Sequence, residues 1–280
     1  MSSDLTRSKR TAAPASPPSP GEKTQSEPPS GLTEDTILGG RLRLRQPRRG
    51  HRVGHDAILL AAACAANAGD HVADLGAGVG AAGLALAARV AGVSVTLVEI
   101  DPTLAALAAA NTELNELAAQ VQTVTLDVGA PARAFAAAGL KPETFAGVLM
   151  NPPFNDPARH RVSPDGRRRL AHAAPELTLA TWIKTAARLL QARGTLTMIW
   201  RADGLAEVLG TLTPFGATCI LPIHPKPDHP AIRVIVQARK GSRAPLALLP
   251  GLVLADTSGR PTAKAESVLR GGAPLGLGPK

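Results

Sequence analysis

Aromatic residues and cysteines are scarce in this chain of 280 residues. Aromatic side chains make up 2% of it and tyrosine is absent, so alanine, leucine and valine must build the core. The two cysteines, Cys64 and Cys219, form no CxxC pattern, which indicates reduced thiols rather than a disulfide framework. The seven histidines are scattered without the spacing of metal ligands, and we therefore predict no metal.

Long apolar runs are also lacking. The run at residues 57–66 has ten residues, whereas a helix that crosses a membrane needs about 20. The N-terminal segment lacks the apolar stretch of a secretory signal. These absences predict a cytoplasmic protein with no membrane partner.

Basic residues outnumber acidic ones, and the net charge is +9. Residues 1–35 do not contribute to this excess, because they carry four basic and five acidic residues. The remaining chain has 27 basic and 17 acidic residues. A folded part with such a surplus attracts polyanions, and nucleic acid is the first partner that we expect.

The chain divides into three parts. Residues 1–34 are rich in proline and serine and show no periodicity, which predicts a disordered tail. Residues 35–250 form the predicted folded domain, and residues 251–280 a C-terminal extension. Apolar strand patterns in the domain occur at residues 71–78, 93–100, 121–128, 146–151, 194–200, 217–225 and 231–240.

Helical patterns separate most of these strands, but none is predicted between residues 128 and 146 or between the last two strands. This order predicts an α/β fold, with a mostly parallel seven-stranded sheet, an antiparallel last strand and helices on both faces. Ligands of such sheets bind at the carboxyl ends of the strands.

The first of these strands ends in the sequence DLGAGVG, residues 74–80. Gly76 and Gly78 allow a tight turn and a close approach of the backbone to a ligand. Residues 78–83 also match the GxGxxG fingerprint of dinucleotide-binding dehydrogenases. Asp74 argues against that alternative, because an acid there would repel a pyrophosphate but could receive an ammonium group. A tight turn without a ligand is the remaining alternative.

Two further acids end the next two strands. Glu99 follows Asp74 by 25 positions, and an acid at this spacing typically accepts hydrogen bonds from the hydroxyls of a ribose. Asp127 could accept a hydrogen bond from the amino group of an adenine, or it could be a turn or capping residue.

The fourth strand runs into Asn151-Pro152-Pro153-Phe154. The two prolines stiffen the chain and keep Asn151 extended. The side-chain oxygen of Asn151 and the carbonyl oxygen of Pro152 can together accept hydrogen bonds from an NH₂ group, while Phe154 stacks on the attached planar ring. Orienting such an amine and stabilising its developing positive charge would promote its alkylation.

The combination DxGxGxG, strand-end Glu and NPPF resembles the class I S-adenosylmethionine-dependent methyltransferases that act on planar amino nitrogens, over about residues 48–240. The resemblance implies their Rossmann-like fold and S-adenosylmethionine as the cofactor. It implies that Asp74, Gly76 and Gly78 line its methionine end, that Glu99 holds its ribose and that Asp127 contacts its adenine. The sequence NPPF would form the target-amine clamp.

The stretch RVGHDAILLAAA, residues 52–63, is similar to a segment of the bacterial tRNA (valine) adenine-N6 methyltransferases. This resemblance places Asp56 near the cofactor and implies tRNA as the substrate. Phe154 departs from the tyrosine that is frequent there in adenine enzymes. NPPF is also common in guanine-N2 methyltransferases of ribosomal RNA, so the target base stays open.

The segment after NPPF, residues 155–172, carries five arginines, which predicts a basic flap that grips RNA phosphates or an ordinary solvated charge run. We expect the target base to be flipped out of its stack beside Asn151. Methylation of a protein glutamine is an alternative with the same Asn-Pro-Pro chemistry. A protein that binds RNA or a nucleotide without chemistry would not need an amine clamp.

Overall fold

The structure is a computed structural model that describes residues 31–49, 52–153 and 178–277. The strands are β1 Leu32–Ile37, β2 Leu42–Pro47, β3 His71–Leu75, β4 Ser94–Glu99, β5 Val121–Thr125, β6 Phe145–Met150, β7 Leu190–Arg201, β8 Phe215–His224, β9 Arg233–Lys240, β10 Ala247–Leu248 and β11 Leu252–Val253. The helices are α1 His55–Ala63, α2 Ala81–Arg89, α3 Pro102–Leu114, α4 Ala132–Ala137, α5 Leu179–Leu189, α6 Leu205–Thr211 and α7 Ala263–Leu269.

A nine-stranded sheet forms the centre of the molecule, in the order β10-β8-β9-β7-β6-β3-β4-β5, with β11 also paired to β8. Strand β9 is antiparallel to its two neighbours, β7 and β8, and the other pairs are parallel. The predicted seven-stranded arrangement with an antiparallel last strand is therefore confirmed for β3–β9. The count rises to nine because β10 and β11, each only two residues long, add to the edge strand β8.

Helices cover both faces of the sheet, as predicted. Alternate residues of each strand point to opposite faces, and this divides the core into two clusters. On one face, Leu97 and Ile199 belong to a cluster that includes residues of α1, α2, α3 and α7. On the other face, Val98 and Trp200 belong to a cluster with residues of α4, α5 and α6.

An antiparallel hairpin of β1 and β2 precedes the sheet and packs against α3 and α2. It begins at Leu32, inside the segment that was assigned to the disordered tail. In β2, Leu42, Leu44 and Gln46 are buried, and the residues between them are partly exposed. This alternation was visible in the sequence, but the pairing with β1 was not predicted.

Part of the predicted C-terminal extension is integrated into the domain. Strand β11 pairs with β8, and α7 packs against α1. The backbone N–H of Leu275 donates a hydrogen bond to the carbonyl oxygen of Ala62 at 2.7 Å. None of the described helices is long and apolar enough to cross a membrane.

Candidate active site

The candidate site lies where the order of the sheet reverses. The chain passes from β3 outwards through β4 to β5, and then returns to β6 on the other side of β3. Crevices at such switch points, at the carboxyl ends of the strands, are the usual ligand sites of open α/β sheets. Leu75 and Met150 are register partners, so Gly76 and Asn151 follow directly on two neighbouring strands.

The glycine turn, residues 76–80, is fixed by backbone hydrogen bonds to β4. The N–H groups of Gly76 and Ala77 both donate to the carbonyl oxygen of Val98, at 2.8 and 3.0 Å. Gly76, Gly78 and Gly80 all have positive φ angles, at 69°, 58° and 89°, a region that L-residues rarely adopt. The sequence pattern therefore encodes the backbone path of this turn.

Gly76 is also required for packing. A Cβ atom at this position would lie 2.6 Å from Cη2 of Trp182, so the indole of α5 occupies the space where a side chain would be. Trp182 is only 5% exposed. At Gly78, by contrast, a Cβ atom would have no heavy atom of the described residues within 4 Å. The second glycine thus faces open space in which a ligand can approach the backbone.

Asp74 is buried in β3, with 2% of its surface exposed. Its Oδ2 atom accepts a hydrogen bond from the N–H of Gly83, in the first turn of α2, at 2.8 Å. The pKa of Asp74 is raised to about 7, chiefly by burial; the Gly83 hydrogen bond lowers this pKa, and the negative charge of Glu99 adds to the rise. A cation that approaches such a buried carboxyl group stabilises its ionised form.

Glu99 ends β4 and is 6% exposed. Its Oε2 atom accepts a hydrogen bond from the N–H of Gly78 at 2.7 Å, and its Oε1 atom accepts one from the N–H of Asp101 at 2.9 Å. A carboxylate oxygen can accept two hydrogen bonds, so each oxygen keeps one acceptor position. These two positions match the two hydroxyl groups of a ribose.

Two residues extend the cofactor side of the crevice beyond Glu99. Ile100, which was not identified from the sequence, is 47% exposed. It provides an apolar surface beside the polar pocket. Asp127 is partly buried, and its Oδ1 atom accepts a hydrogen bond from the N–H of Gly129 at 2.7 Å. This is the turn contact that was considered as the alternative for Asp127, and it leaves the second carboxylate oxygen available.

Helix α5 holds the loop after β5 as well as the glycine turn. The hydroxyl of Thr185 donates a hydrogen bond to the carbonyl oxygen of Val128 at 2.9 Å. Trp182, one turn earlier in α5, packs against Gly76. Neither residue was identified from the sequence, because only the folded chain shows which loops α5 contacts.

Asn151 is partly buried at the end of β6, and its Oδ1 atom is inaccessible to water. Among the described residues, this oxygen has no hydrogen-bond partner. An unpaired buried acceptor costs about 1–3 kcal/mol, a cost that a hydrogen-bond donor on a ligand would remove. Pro152 is buried and Pro153 is exposed. Phe154 and the predicted basic flap lie outside the described residues.

Asp56 lies at the same edge of the sheet but not at the switch point. Its Oδ2 atom pairs with Nε of Arg233 at 2.9 Å. Arg233 begins the antiparallel strand β9, and its register partner is Arg201 at the end of β7. Because β7 and β9 follow β6 in the order of the sheet, the contact with Arg233 places Asp56 on the Asn151 side of the crevice.

The described residues fit the cofactor that the sequence resemblance implies. Asp74 suits a cationic group, the open side of Gly78 leaves room for a ligand, and Glu99 has two free acceptor positions. The unpaired oxygen of Asn151 lies one strand away from the glycine turn. Within the described ranges, no group of three or more His, Cys, Asp or Glu side chains could hold a metal ion.

Comparison with known proteins supports this interpretation. Residues 51–212 match the family model of the methyltransferase small domain. A crystal structure described as a predicted O-methyltransferase, protein Atu636 from Agrobacterium tumefaciens, is 34% identical in sequence. The match covers 79% of this chain and 97% of that protein, with a TM-score of 0.66. No curated protein sequence gives a significant match.

More distant structures share the fold. The TYW2 protein of M. jannaschii, solved in complex with AdoMet, has 16% sequence identity and a TM-score of 0.52, over 75% of this chain and 85% of that one. The putative transferase PH0793 from Pyrococcus horikoshii has 11% identity and a TM-score of 0.51, over 76% of this chain and 73% of that one. The sheet order, the glycine turn and the match over residues 51–212 agree: this chain belongs to the methyltransferase small domain family.

Proposed function

We propose that this S-adenosylmethionine-dependent methyltransferase modifies an exocyclic amino group of an RNA base, with N6 of adenine in tRNA as the first candidate. The observation that carries the proposal is the buried, unpaired Oδ1 atom of Asn151 beside the glycine turn. An amide oxygen is a hydrogen-bond acceptor, and an amino group is the donor that it lacks.

S-adenosylmethionine is the cofactor, as the sequence predicted, and it supplies a methyl group on a positively charged sulfur. The chain belongs to a methyltransferase family, and a structure with the same fold holds AdoMet. On the protein side, Asp74 balances the positive charge of the methionine end, directly or through water. Glu99 accepts hydrogen bonds from the ribose hydroxyls, and Asp127 accepts one from the adenine amino group while Ile100 covers the ring.

Asn151 acts on the acceptor side of the reaction. Its Oδ1 atom and the carbonyl oxygen of Pro152 accept hydrogen bonds from the two N–H groups of the target amine. These bonds draw the nitrogen lone pair out of conjugation with the ring and orient it for in-line attack. The nitrogen becomes acidic once it is alkylated, so no strong general base is needed. Pro152 and Pro153 keep this arrangement rigid.

RNA is favoured over protein by the charge of the chain. The part after residue 35 carries a surplus of ten positive charges, which suits a polyanion. An exocyclic amine of a base is planar and weakly nucleophilic, and so is the amide of a glutamine, which keeps protein-glutamine methylation as an alternative substrate. Guanine N2 in ribosomal RNA is the alternative base.

A methyl-transfer assay with labelled S-adenosylmethionine tests the proposal. Total tRNA, ribosomal RNA and protein from cells that lack this gene are offered separately, and labelled nucleosides are identified. N6-methyladenosine in tRNA is the expected product. N2-methylguanosine or labelled protein would retain the role of Asn151 but replace the substrate. A product methylated on oxygen, the activity in the description of the Agrobacterium relative, would overturn the amine assignment.

A further inference from the structure

The N-terminal hairpin, β1 and β2, has no role in the reaction described above. It is separate from the main sheet, and yet it carries a concentration of positive charge. Residues 31–52 contain six arginines and only two acids, Glu34 and Asp35. The arginines are Arg41, Arg43, Arg45, Arg48, Arg49 and Arg52.

The arginines of β2 share one face of the hairpin. Side chains alternate along a strand, and β2 buries Leu42, Leu44 and Gln46 on the inner face. Arg43 and Arg45 therefore project from the outer face. Arg41, just before the strand, is exposed, and its guanidinium donates hydrogen bonds to the carbonyl oxygens of Leu38 and Arg270 at 3.2 and 3.3 Å. Arg48, Arg49 and Arg52 are exposed and follow β2 at the open end of the hairpin. We name the six arginines together the basic hairpin face.

The acids neutralise only part of this charge. Glu34 forms ion pairs with both Arg43 and Arg45, and Nε of Arg45 lies 3.0 Å from the carboxylate. Asp35 pairs with Arg52 at 2.7 Å. The three remaining arginines are exposed and form no ion pair with a described residue; they are Arg41, Arg48 and Arg49. Like charges at this density repel each other, which a polyanionic partner would relieve.

The basic hairpin face is held at a fixed distance from the active site. The amide of Asn111 in α3 bonds both the N–H and the carbonyl oxygen of Arg45, at 2.8 and 3.0 Å. The amide of Asn115, one turn later, does the same with Arg43, at 2.9 and 2.7 Å. Two asparagines thus pair with β2 as a neighbouring strand would.

The same anchors reach the crevice. Nδ2 of Asn111 also donates to the carbonyl oxygen of Val79 in the glycine turn, at 3.0 Å. On the other side, the side chain of Gln46 accepts a hydrogen bond from the N–H of Val53 at 2.9 Å, just before α1 and Asp56. These hydrogen bonds therefore hold the hairpin rigidly in position relative to both sides of the cofactor region.

The chemistry of this surface fits an RNA backbone. Guanidinium groups form paired hydrogen bonds with phosphate oxygens. Among the described residues, the exposed large apolar side chains are Ile100, Leu209, Ile232, Leu246 and Leu248. None of them belongs to the hairpin, so the surface lacks the apolar residues with which a protein enters a lipid bilayer.

From this geometry we infer that the basic hairpin face binds phosphate groups of the RNA substrate at a distance from the target base. The inference rests on the proposed function, because it assigns a contact surface to the same RNA. Binding there adds affinity and orientation without reading the sequence, since phosphate contacts position a nucleic acid and base contacts specify it.

A triple variant, Arg41→Gln, Arg48→Gln and Arg49→Gln, tests the inference. It leaves the ion pairs of Glu34 and Asp35 intact. The matched control replaces Arg193, Arg239 and Arg243 by glutamine. These residues are exposed in or beside β7 and β9, at the ends of those strands that lie away from the crevice. Binding of unfractionated tRNA is measured as a function of salt concentration, together with cofactor binding and the melting temperature of each variant.

The hairpin variant should bind tRNA at least tenfold more weakly at low salt. Each lost phosphate contact makes the negative slope of log K against log salt shallower by about 0.7–0.9. The slope of the hairpin variant should therefore be shallower than that of the wild type by about 2–3. Cofactor affinity and kcat at saturating tRNA should be unchanged. An equal loss in both triple variants, or no loss in either, would overturn the inference. A wild-type protein that neither binds nor methylates RNA would instead show that the proposed function fails.

Discussion

Asn111 donates a hydrogen bond to the carbonyl oxygen of Val79, from the interior of α3 into the glycine turn, over 3.0 Å. The same side chain bonds both backbone groups of Arg45 in β2. Asn111 has no exposed surface, and both ends of its amide are used. One buried side chain therefore connects the glycine turn to the N-terminal hairpin.

Replacement of Asn111 by alanine should affect stability and cofactor binding together. The change leaves three backbone groups without their partner, so we expect a loss of about 2–4 kcal/mol in the free energy of unfolding. Release of the glycine turn should weaken cofactor binding by about tenfold, which corresponds to about 1.4 kcal/mol. Denaturant titration and calorimetric titration with S-adenosylmethionine measure the two effects.

Asn115→Ala is the matched control for this experiment. Asn115 bonds Arg43 in β2 and the carbonyl oxygen of Asn111, but it does not contact the glycine turn. The control should destabilise the protein and leave the affinity for the cofactor within about twofold. If both variants weaken cofactor binding equally, Asn111 acts through general stability and not through Val79.

The central sheet could be predicted from the sequence because its signals are local. Each strand is an apolar run, and the polar residues that end it, such as Asp74, Glu99 and Asn151, follow from chain order alone. Parallel strands align their carboxyl ends, so these residues had to converge on one edge. The structure brings Gly76 and Asn151 onto adjacent strands, as the motifs required.

The features that were missed depend on contacts between distant parts of the chain. Arg233 meets Asp56 across 177 positions, and no pattern in either segment indicates the partner. Trp182 is an ordinary apolar residue of an amphipathic helix until the fold places it against Gly76. Helix α4 is six residues long, which is too short for a helical period to be recognised.

Asp74→Asn should have opposite effects on stability and on cofactor binding. In the folded protein the pKa of Asp74 is raised to about 7, chiefly by burial. The folded state therefore binds a proton more tightly than the unfolded state, and this group lowers stability as pH rises from about 4 to 7. At pH 8 the neutral asparagine should raise the free energy of unfolding by about 1–4 kcal/mol.

The wild-type protein should bind the cofactor more tightly as pH rises towards 7. A cationic group stabilises the ionised carboxylate, so binding is coupled to loss of the proton, and the affinity should level off above the pKa of Asp74. Asp74→Asn should bind more weakly at pH 8 and show a flatter pH profile. A wild-type affinity that is constant between pH 5 and 8 would contradict the assigned contact between Asp74 and the cation.

Gly76→Ala should destabilise the glycine turn through a steric conflict with Trp182. The new Cβ would lie 2.6 Å from the indole ring, at a backbone φ of 69°. Overpacking of this kind costs about 1–3 kcal/mol, and the strained backbone adds about 1 kcal/mol or more. Gly78→Ala has the same backbone strain but open space around its Cβ, so it should cost less stability.

Trp182→Leu separates the two causes in a double-mutant cycle. If the clash dominates at Gly76, the double variant should be more stable than the sum of the single changes predicts, with a coupling of about 0.5–3 kcal/mol. Thermal unfolding of the four proteins provides the cycle. Additive effects would show that the backbone conformation alone requires glycine at this position.

Asn151→Ala should abolish most of the catalysis while preserving the fold and the cofactor site. Removal of one preorganised polar contact to the reacting group lowers kcat by about 10²- to 10³-fold. The unfolding free energy should stay unchanged or rise, because the variant removes an acceptor that has no hydrogen-bond partner among the described residues. Cofactor affinity should stay within about twofold of wild type.

Asn151→Asp tests whether the acceptor oxygen itself is responsible. A carboxylate also accepts hydrogen bonds from an amine, so this variant should retain more activity than Asn151→Ala in single-turnover assays with excess enzyme. An aspartate variant as inactive as the alanine variant would indicate that the amide N–H₂ group matters instead. If both variants lose cofactor binding and turnover in parallel, Asn151 contacts the cofactor and not the target amine.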